Sequence, residues 1–406
     1  MASALGCSVK GDNPPENIGS QESTPTPSTP APPQGYDPPL KFATEGHDLP
    51  WSGARYRNDP LPFTLEGTTT WMSTREGLVG FDAVTGRTTR IGPSGAWAAA
   101  TVPSPPAVTT VADRTVVLTA FPIAVDGKGT ERGHHELELL AVDANTSKAA
   151  WRFRVANEAV TFVTTTGVAP TLEIVGVSGT TAVISYGPGP GDNSFVAAVD
   201  LATKSLLWSK ARVTAVAVGD GNIALHEGRL GDSKLYGVRA ADGQSAWSGV
   251  HTEGLLAVGP AGPHFVAVQT ERFGGPEDFP LLNLATGSRA TKHSMENIPV
   301  RCVDDPVTTT VVCSDAHGGT VGLDATSGRQ LWALPTQTRR PINVTAVWHG
   351  LIYAKVGGEP VLLDARTGAD RPQTLESAPR LVNSYIGVFT DPDAPAASPV
   401  VRRTNG

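Results

Sequence analysis

The sequence predicts an all-β protein, an eight-bladed β-propeller of four-stranded blades. Three observations predict it. An apolar run closed by aspartate and a Thr/Ser/Gly turn recurs along the chain, and its later copies stand about 40 residues apart. Short alternating runs such as "NVTAVWHGLIYAKV" fill the intervals, and long helical periodicity is absent. A repeat of about 40 residues fits four short strands, the unit of a propeller blade.

The phrase is clearest in "VGLDATSGRQLWAL", Val321 to Leu334. Aligned on the aspartate, the column reads Asp82, Asp143, Asp200, Arg239, Asn283, Asp324, Asp364 and Arg402, with steps of 61, 57, 39, 44, 41, 40 and 38 residues. Glycine stands four residues later at Gly86, Gly243, Gly287, Gly328, Gly368 and Gly406. Tryptophan stands eight later at Trp151, Trp208, Trp247 and Trp332. Each column has a physical reason. The apolar run has the length of a buried strand. Asp or Asn at its end can accept hydrogen bonds from turn amides. Glycine supplies the positive φ a tight turn needs, and a tryptophan on the next strand can cover a neighbouring unit.

Within one unit, residues 213–250, the strands are "VTAVAV", "NIALHE", "KLYGVR" and "SAWSG", here termed A to D from the inside outward, with the Asp–Gly turn joining C to D. The last unit has strands A and B in "RLVNSYIGVFT" and C in "SPVVRR", then stops. An unpaired edge is a liability, so segment 40–52, "LKFATEGHDLPWS", is assigned as the missing D strand, with Trp51 in the tryptophan column. A seven-bladed ring is the alternative.

The Asp-x-x-Thr-Gly-x-x-x-Trp phrase resembles the repeat of PQQ-like (quinoprotein-type) β-propellers, over nearly all of residues 40–406. The resemblance implies the fold. It also implies two kinds of member: quinone-dependent dehydrogenases, and non-enzymatic lipoproteins like the propeller that assists outer-membrane β-barrel assembly. The dehydrogenases resemble one another in an adjacent Cys–Cys pair, Ca²⁺ ligands and a catalytic aspartate beside the PQQ cofactor. This chain has no adjacent cysteines and no calcium-loop spacing. The reading is therefore a non-catalytic binding scaffold, with no cofactor and no metal; a PQQ-dependent dehydrogenase-like enzyme is the alternative. The aspartate column reads as structural turn caps rather than ligands.

Other chemistry finds no support. His134–His135 sits in the polar stretch "GKGTERGHHELE" without further zinc ligands and reads as a loop pair. "GPGPGDN" lacks the Lys-Ser/Thr of a phosphate-binding loop. Gly-x-Ser-x-Gly is absent. A net charge of −7 without blocks argues against nucleic acid, and no stretch of 18 apolar residues exists.

Residues 1–39 hold nine of the 34 prolines and no aromatic residue before Tyr36, and read as a disordered Ser/Thr/Pro tether. Cys7 in "ASALGCS" resembles the lipidated cysteine of a bacterial lipobox; an ordinary cysteine in the tail is the other reading. Cys302 and Cys313 flank an Asp-Asp-Pro turn and are assigned a cross-strand disulfide, which fits an oxidising, extracytoplasmic compartment; two buried free thiols are the other reading.

The array is irregular where blades 2 and 3 run about 20 residues long. The excess falls between strands B and C, at 123–136 and 187–193, and blade 5 has "TERFGGPEDF" at 270–279 in the same place. Long loops on a rigid scaffold carry recognition. The candidate partner-binding residues are Arg132, His134, His135, Asp192, Arg272, Phe273 and Glu277. The expected partner is an envelope or extracellular protein or polymer, bound by a monomer.

Overall fold

The computed structural model describes residues 33–51, 62–74, 76–97, 102–103, 105–155, 170–187, 189, 194–229, 232–252, 256–270, 278–294, 300–305, 307–315, 317–390 and 398–406. The following concerns Gln34–Gly406. Among the described residues eight sheets follow one another along the chain, antiparallel except where Val102–Pro103 pairs parallel to Thr171–Leu172 on the inner side of blade 3. Their A strands are Phe63–Glu66, Ala107–Val111, Thr171–Ser178, Val213–Gly219, Leu256–Pro260, Arg301–Asp305, Asn343–Trp348 and Leu381–Val382. Each touches the next, and the eighth returns to the first. The protein is an eight-bladed propeller.

The eighth blade takes its outer strand from the start of the domain. His47–Asp48 pairs antiparallel with Val400–Arg403 through His47↔Val401 and Asp48↔Val400. The segment before it forms a strap. Tyr36 N–H donates to Ser384 O at 2.7 Å, the Tyr353 hydroxyl to Pro39 O at 2.7 Å, and Leu40 and Lys41 N–H both to Gly406 O at 2.7 Å. Apolar residues then seal the joint: Leu49, Phe63, Met72, Val79, Ile386, Val388 and Val401 form one buried cluster across blades 8 and 1.

Two details of this joint correct the sequence alignment. The C strands of the other blades end on the aspartate column, and blade 8's ends on Arg403, so Arg403 rather than Arg402 holds the column. Register then places His47, not Trp51, opposite the position that tryptophan faces elsewhere. The His47 ring lies beside Gly86 and 5.7 Å from the Phe81 ring, while Trp51 packs edge-on against Phe63 at 5.5 Å. Blade 8 has no covalent C–D turn, so its end is free of the turn's sequence constraint.

The Asp–Gly turn performs as its residues require. Asp82 Oδ1 accepts from the amides of Val84 and Thr85 at 2.7 and 2.9 Å, and Asp364, Asp324, Asp200, Asp143 and Asn283 repeat the pattern. The amide four residues on donates to the column residue's own carbonyl. Ser147 and Lys204 replace glycine in blades 2 and 3 and still take φ of 53° and 57°. The residue just after the column ties this turn to the A–B turn of its own blade: Ala83 to Thr68, Ala240 to Gly221, Leu284 to His264 and Ala365 to Gly350, at 2.8–3.0 Å.

That same residue receives the tryptophan of the preceding blade. Trp208 Nε1 donates to Ala240 O, Trp247 to Leu284 O and Trp332 to Ala365 O, at 2.9–3.0 Å. The indoles lie on Gly243, Gly287 and Gly368, where an added Cβ would meet ring carbons at 2.5–2.8 Å. Glycine is thus required twice at these positions, for φ near 68° and for contact. A β-bulge one residue before each indole, at Leu207, Ala246 and Leu331, turns it toward the next blade. Trp151 follows the same bulge at Ala150 and packs on the cluster containing Leu201, but among the described residues it makes no equivalent hydrogen bond. Its target turn carries Lys204, whose Cβ occupies the seat glycine leaves open elsewhere.

Blade 7 departs from the four-strand expectation. Its outer strand is a single bridge, Leu363↔Asp370. Arg371 adds one bond to Leu362, and Pro372, without an N–H, ends the pairing.

Cys302 and Cys313 are directly opposed on strands A and B of blade 6 and bonded at 2.07 Å, as the flanked turn indicates.

Trp247 is 6 % exposed. Trp247→Ala should cost about 3–5 kcal/mol in urea unfolding, and Trp247→Phe less, because it retains apolar contact. An unchanged midpoint for Trp247→Ala would remove the docking role. The Asp324 carboxyl is held down at about 2, below its ordinary 3.8, by the amide and hydroxyl of Ser327 and then by Arg366. A depressed folded value makes its stabilisation complete above about pH 4 and lost as pH falls toward 2. Asp324→Asn should therefore lower the thermal midpoint at pH 6, and the difference from the parent protein should narrow as pH falls from about 4 through about 2.

Candidate functional site

Antiparallel strands put the A–B and C–D turns on one face of the ring and the B–C loops on the other. Blade 2 dominates the second face among the described residues. Its B and C strands, Arg114–Val125 and His134–Asp143, have 12 and 10 residues, against six each for Thr69–Thr74 and Gly77–Asp82 in blade 1. Pairing continues to His134↔Val125 and His135↔Ala124. The sequence assigned 123–136 to a loop and His134–His135 to its end. Ladder hydrogen bonds instead carry both histidines into the strand, and the loop shrinks to 126–133. Its backbone turns by a bond from Glu131 N–H to Lys128 O at 3.1 Å, and Arg132 is exposed on it.

Below the tip lies a charge network that motif reading missed. Glu138 is fully buried on strand C. It accepts from Arg152 Nη1 at 2.6 Å and from the Ser94 amide at 3.0 Å, and the Ser94 hydroxyl also contacts it. Arg154 donates to Ser94 Oγ at 2.8 Å and lies 3.5 Å from Glu136, whose carboxylate meets His134 Nε2 at 3.1 Å. A buried carboxylate without such partners would be costly; here the network holds the base of the hairpin. The signal was available as the alternation in "ELE" and "RFR": antiparallel register sets Glu138 opposite Arg154 and leaves Glu138–Arg152 and Glu136–Arg154 as diagonal neighbours. Ser94 comes from the connection after blade 1, where Ala96–Trp97 also pairs with the extension of strand B.

Cys7, Asp192, Arg272, Phe273 and Glu277 lie outside the described residues. Only Arg132, His134 and His135 of the expected set are placed, and they are together at the end of one hairpin.

The opposite face carries polar links between successive A–B turns. Asp220 of blade 4 meets His264 Nδ1 of blade 5 at 2.7 Å. Asp305 of blade 6 accepts from Gly350 N–H of blade 7 at 2.7 Å. Asp37 of the strap meets His349 Nδ1 at 2.6 Å and accepts from Trp348 Nε1 at 2.9 Å, and Asn383 of blade 8 donates to Gly67 O of blade 1 at 2.9 Å. Three acids on inner strands are pushed up by burial: Glu66, Glu173 and Asp304, the last also by Asp305 and partly offset by His264. They belong to blades 1, 3 and 6. Among the described residues no three His, Cys, Asp or Glu side chains are grouped to hold a metal ion. Among the described residues no helix is long and apolar enough to cross a membrane.

Residues 49–249 match the family model described as outer membrane protein assembly factor BamB. No curated protein matches the chain. Among solved structures, a computationally designed protein, Ika8, is similar at 15 % identity and a TM-score of 0.50, covering 90 % of this chain and 99 % of that one. BamB from Moraxella catarrhalis is similar at 12 % identity and 0.48, covering 90 % and 100 %. A europium-containing methanol dehydrogenase is similar at 11 % and 0.42, covering 85 % and 83 %. At these identities the likeness is one of fold alone. The chain is an eight-bladed β-propeller whose docked tryptophans and Asp–Gly turns are similar to those of PQQ-like propellers, in agreement with the family-model match over residues 49–249.

Proposed function

We propose that this chain is a non-catalytic docking scaffold of the bacterial cell envelope, binding another protein through the B–C end of blade 2. The long hairpin of that blade carries the reading. It presents Arg132 on its loop and His134 and His135 on a strand that the Glu138–Arg152–Arg154 network holds in place. Interfaces gain from arginine and aromatic anchors held on rigid elements. The family-model match to an assembly factor supports a scaffold role. The Cys302–Cys313 disulfide supports an oxidising compartment, and Cys7 would supply a lipid anchor there. Asp192, Arg272, Phe273 and Glu277 would extend the same face. Neither PQQ nor a metal is needed in this reading, and a monomer suffices.

Replacing residues 126–133 with an Asn-Gly turn shortens the hairpin without touching its ladder. Capture of protein from a cross-linked envelope fraction should be lost, while the thermal midpoint moves by about 2 °C or less. Undiminished capture would place binding elsewhere. Capture of an extracellular polysaccharide in place of protein would change the partner class.

A further inference from the structure

The perimeter of the ring is a set of sheet edges, and they are not alike. Blade 1 ends in the four-residue strand Thr88–Ile91, with Pro93 two residues on. Blade 6 ends in Gln330–Leu334, followed at once by Pro335. Blade 7 has one bridge before Pro372, and blade 8 has the two-residue His47–Asp48 before Pro50. Short, proline-stopped edges are how β proteins prevent further strands from adding. Blades 2 to 5 lack this protection. Their outer strands, Lys148–Val155, Ser205–Ala211, Ser245–Thr252 and Arg289–Ser294, have eight, seven, eight and six residues. That of blade 3 runs through Arg212 straight into the next inner strand, and that of blade 4 is interrupted by two register shifts.

Lys148–Val155 is longer than the blade 5 edge and differs from the other two. After its single bulge it is regular from Trp151 to Val155, and among the described residues it pairs only with strand C. It carries Lys148, Arg152 and Arg154 and no acid. Lys148 is exposed, and the side chains of Arg152 and Arg154 remain 32 % and 43 % exposed despite their bonds to Glu138, Glu136 and Ser94. A guanidinium has five N–H donors, and Arg152 commits one to Glu138. Cations on an open edge repel a second copy of the same edge, and they favour a strand bearing carboxylates.

We propose that the outer edge of blade 2 accepts an added β-strand from a partner protein, an extended segment with Asp or Glu at alternate positions. Backbone N–H and C=O groups of 151–155 supply the ladder, and Arg152 and Arg154, which share one face of the strand, select the acidic side chains. The edge continues from the hairpin whose tip is the proposed docking site, so this inference rests on that reading and gives its partner a chemistry.

The probe is a fluorescein-labelled eight-residue peptide alternating valine and glutamate, titrated into the full chain by anisotropy. Binding should be saturable, and hydrogen exchange should slow in 148–155. N-methylating the alternate amides along one peptide edge should weaken binding about tenfold or more, the effect of two or three lost hydrogen bonds. A lysine-for-glutamate peptide should not bind. No binding, binding indifferent to N-methylation, or protection outside 148–155 would each overturn the proposal. The hairpin tip is intact throughout. Partner capture that depends on the tip, with no peptide binding, would therefore refute the added strand and leave the docking face standing.

Discussion

Ring closure is the constraint on which the remaining structure depends. Each blade buries one face against its predecessor and one against its successor, so no blade is finished until the first meets the last. Here that meeting is made by very little backbone pairing: His47 and Asp48 against Val401 and Val400. What makes so short a strand sufficient is the strap before it and the apolar cluster beneath it. Asp37, Pro39, Leu40 and Lys41 fasten the chain to blades 7 and 8. Leu49 and Phe63 then join the Ile386, Val388 and Val401 side chains in a common core. Burial of that apolar area supplies most of the favourable energy, and hydrogen bonds fix the register.

Between blades a second device repeats. A bulge turns the tryptophan, the following blade's turn glycine leaves it room, and the carbonyl after the column accepts its N–H. Blade 5 lacks the tryptophan, and Thr291 Oγ1 bonds Gly328 O instead, at 2.9 Å. The contact survives with a smaller group, which explains why the repeat tolerates loss of the residue that most advertises it.

The blade count, the Asp–Gly turn, the strand order and the disulfide were legible because each rests on local chemistry repeated in register. Blade 8's alignment was not. With its outer strand drawn from the other end of the chain, no turn links Arg403 to a fixed partner, and spacing alone misplaced the column by one. The seat of each indole was legible in hindsight. Gly237 and Gly322 stand opposite Trp247 and Trp332, and Ala141 and Ala198 opposite Trp151 and Trp208. His134 and His135 were misread because polarity was taken to mean loop, whereas an edge of a long hairpin tolerates polar side chains while its ladder continues. The Glu138 network was hidden for a related reason. Its members come from 94, 136–138 and 152–154, and only register brings them together.

A rigid ring would favour the proposed docking role of the blade 2 hairpin, since loops held by a closed scaffold lose little entropy on binding. The central claim is that the strap makes the eight blades one cooperative unit. Hydrogen exchange on the full chain and on a chain beginning at residue 52 tests it directly. The account predicts faster exchange in every blade of the shortened chain, including 213–219 and 343–348 far along the sequence. Loss of protection confined to 386–403 would show that the blades stand independently of closure and would contradict it.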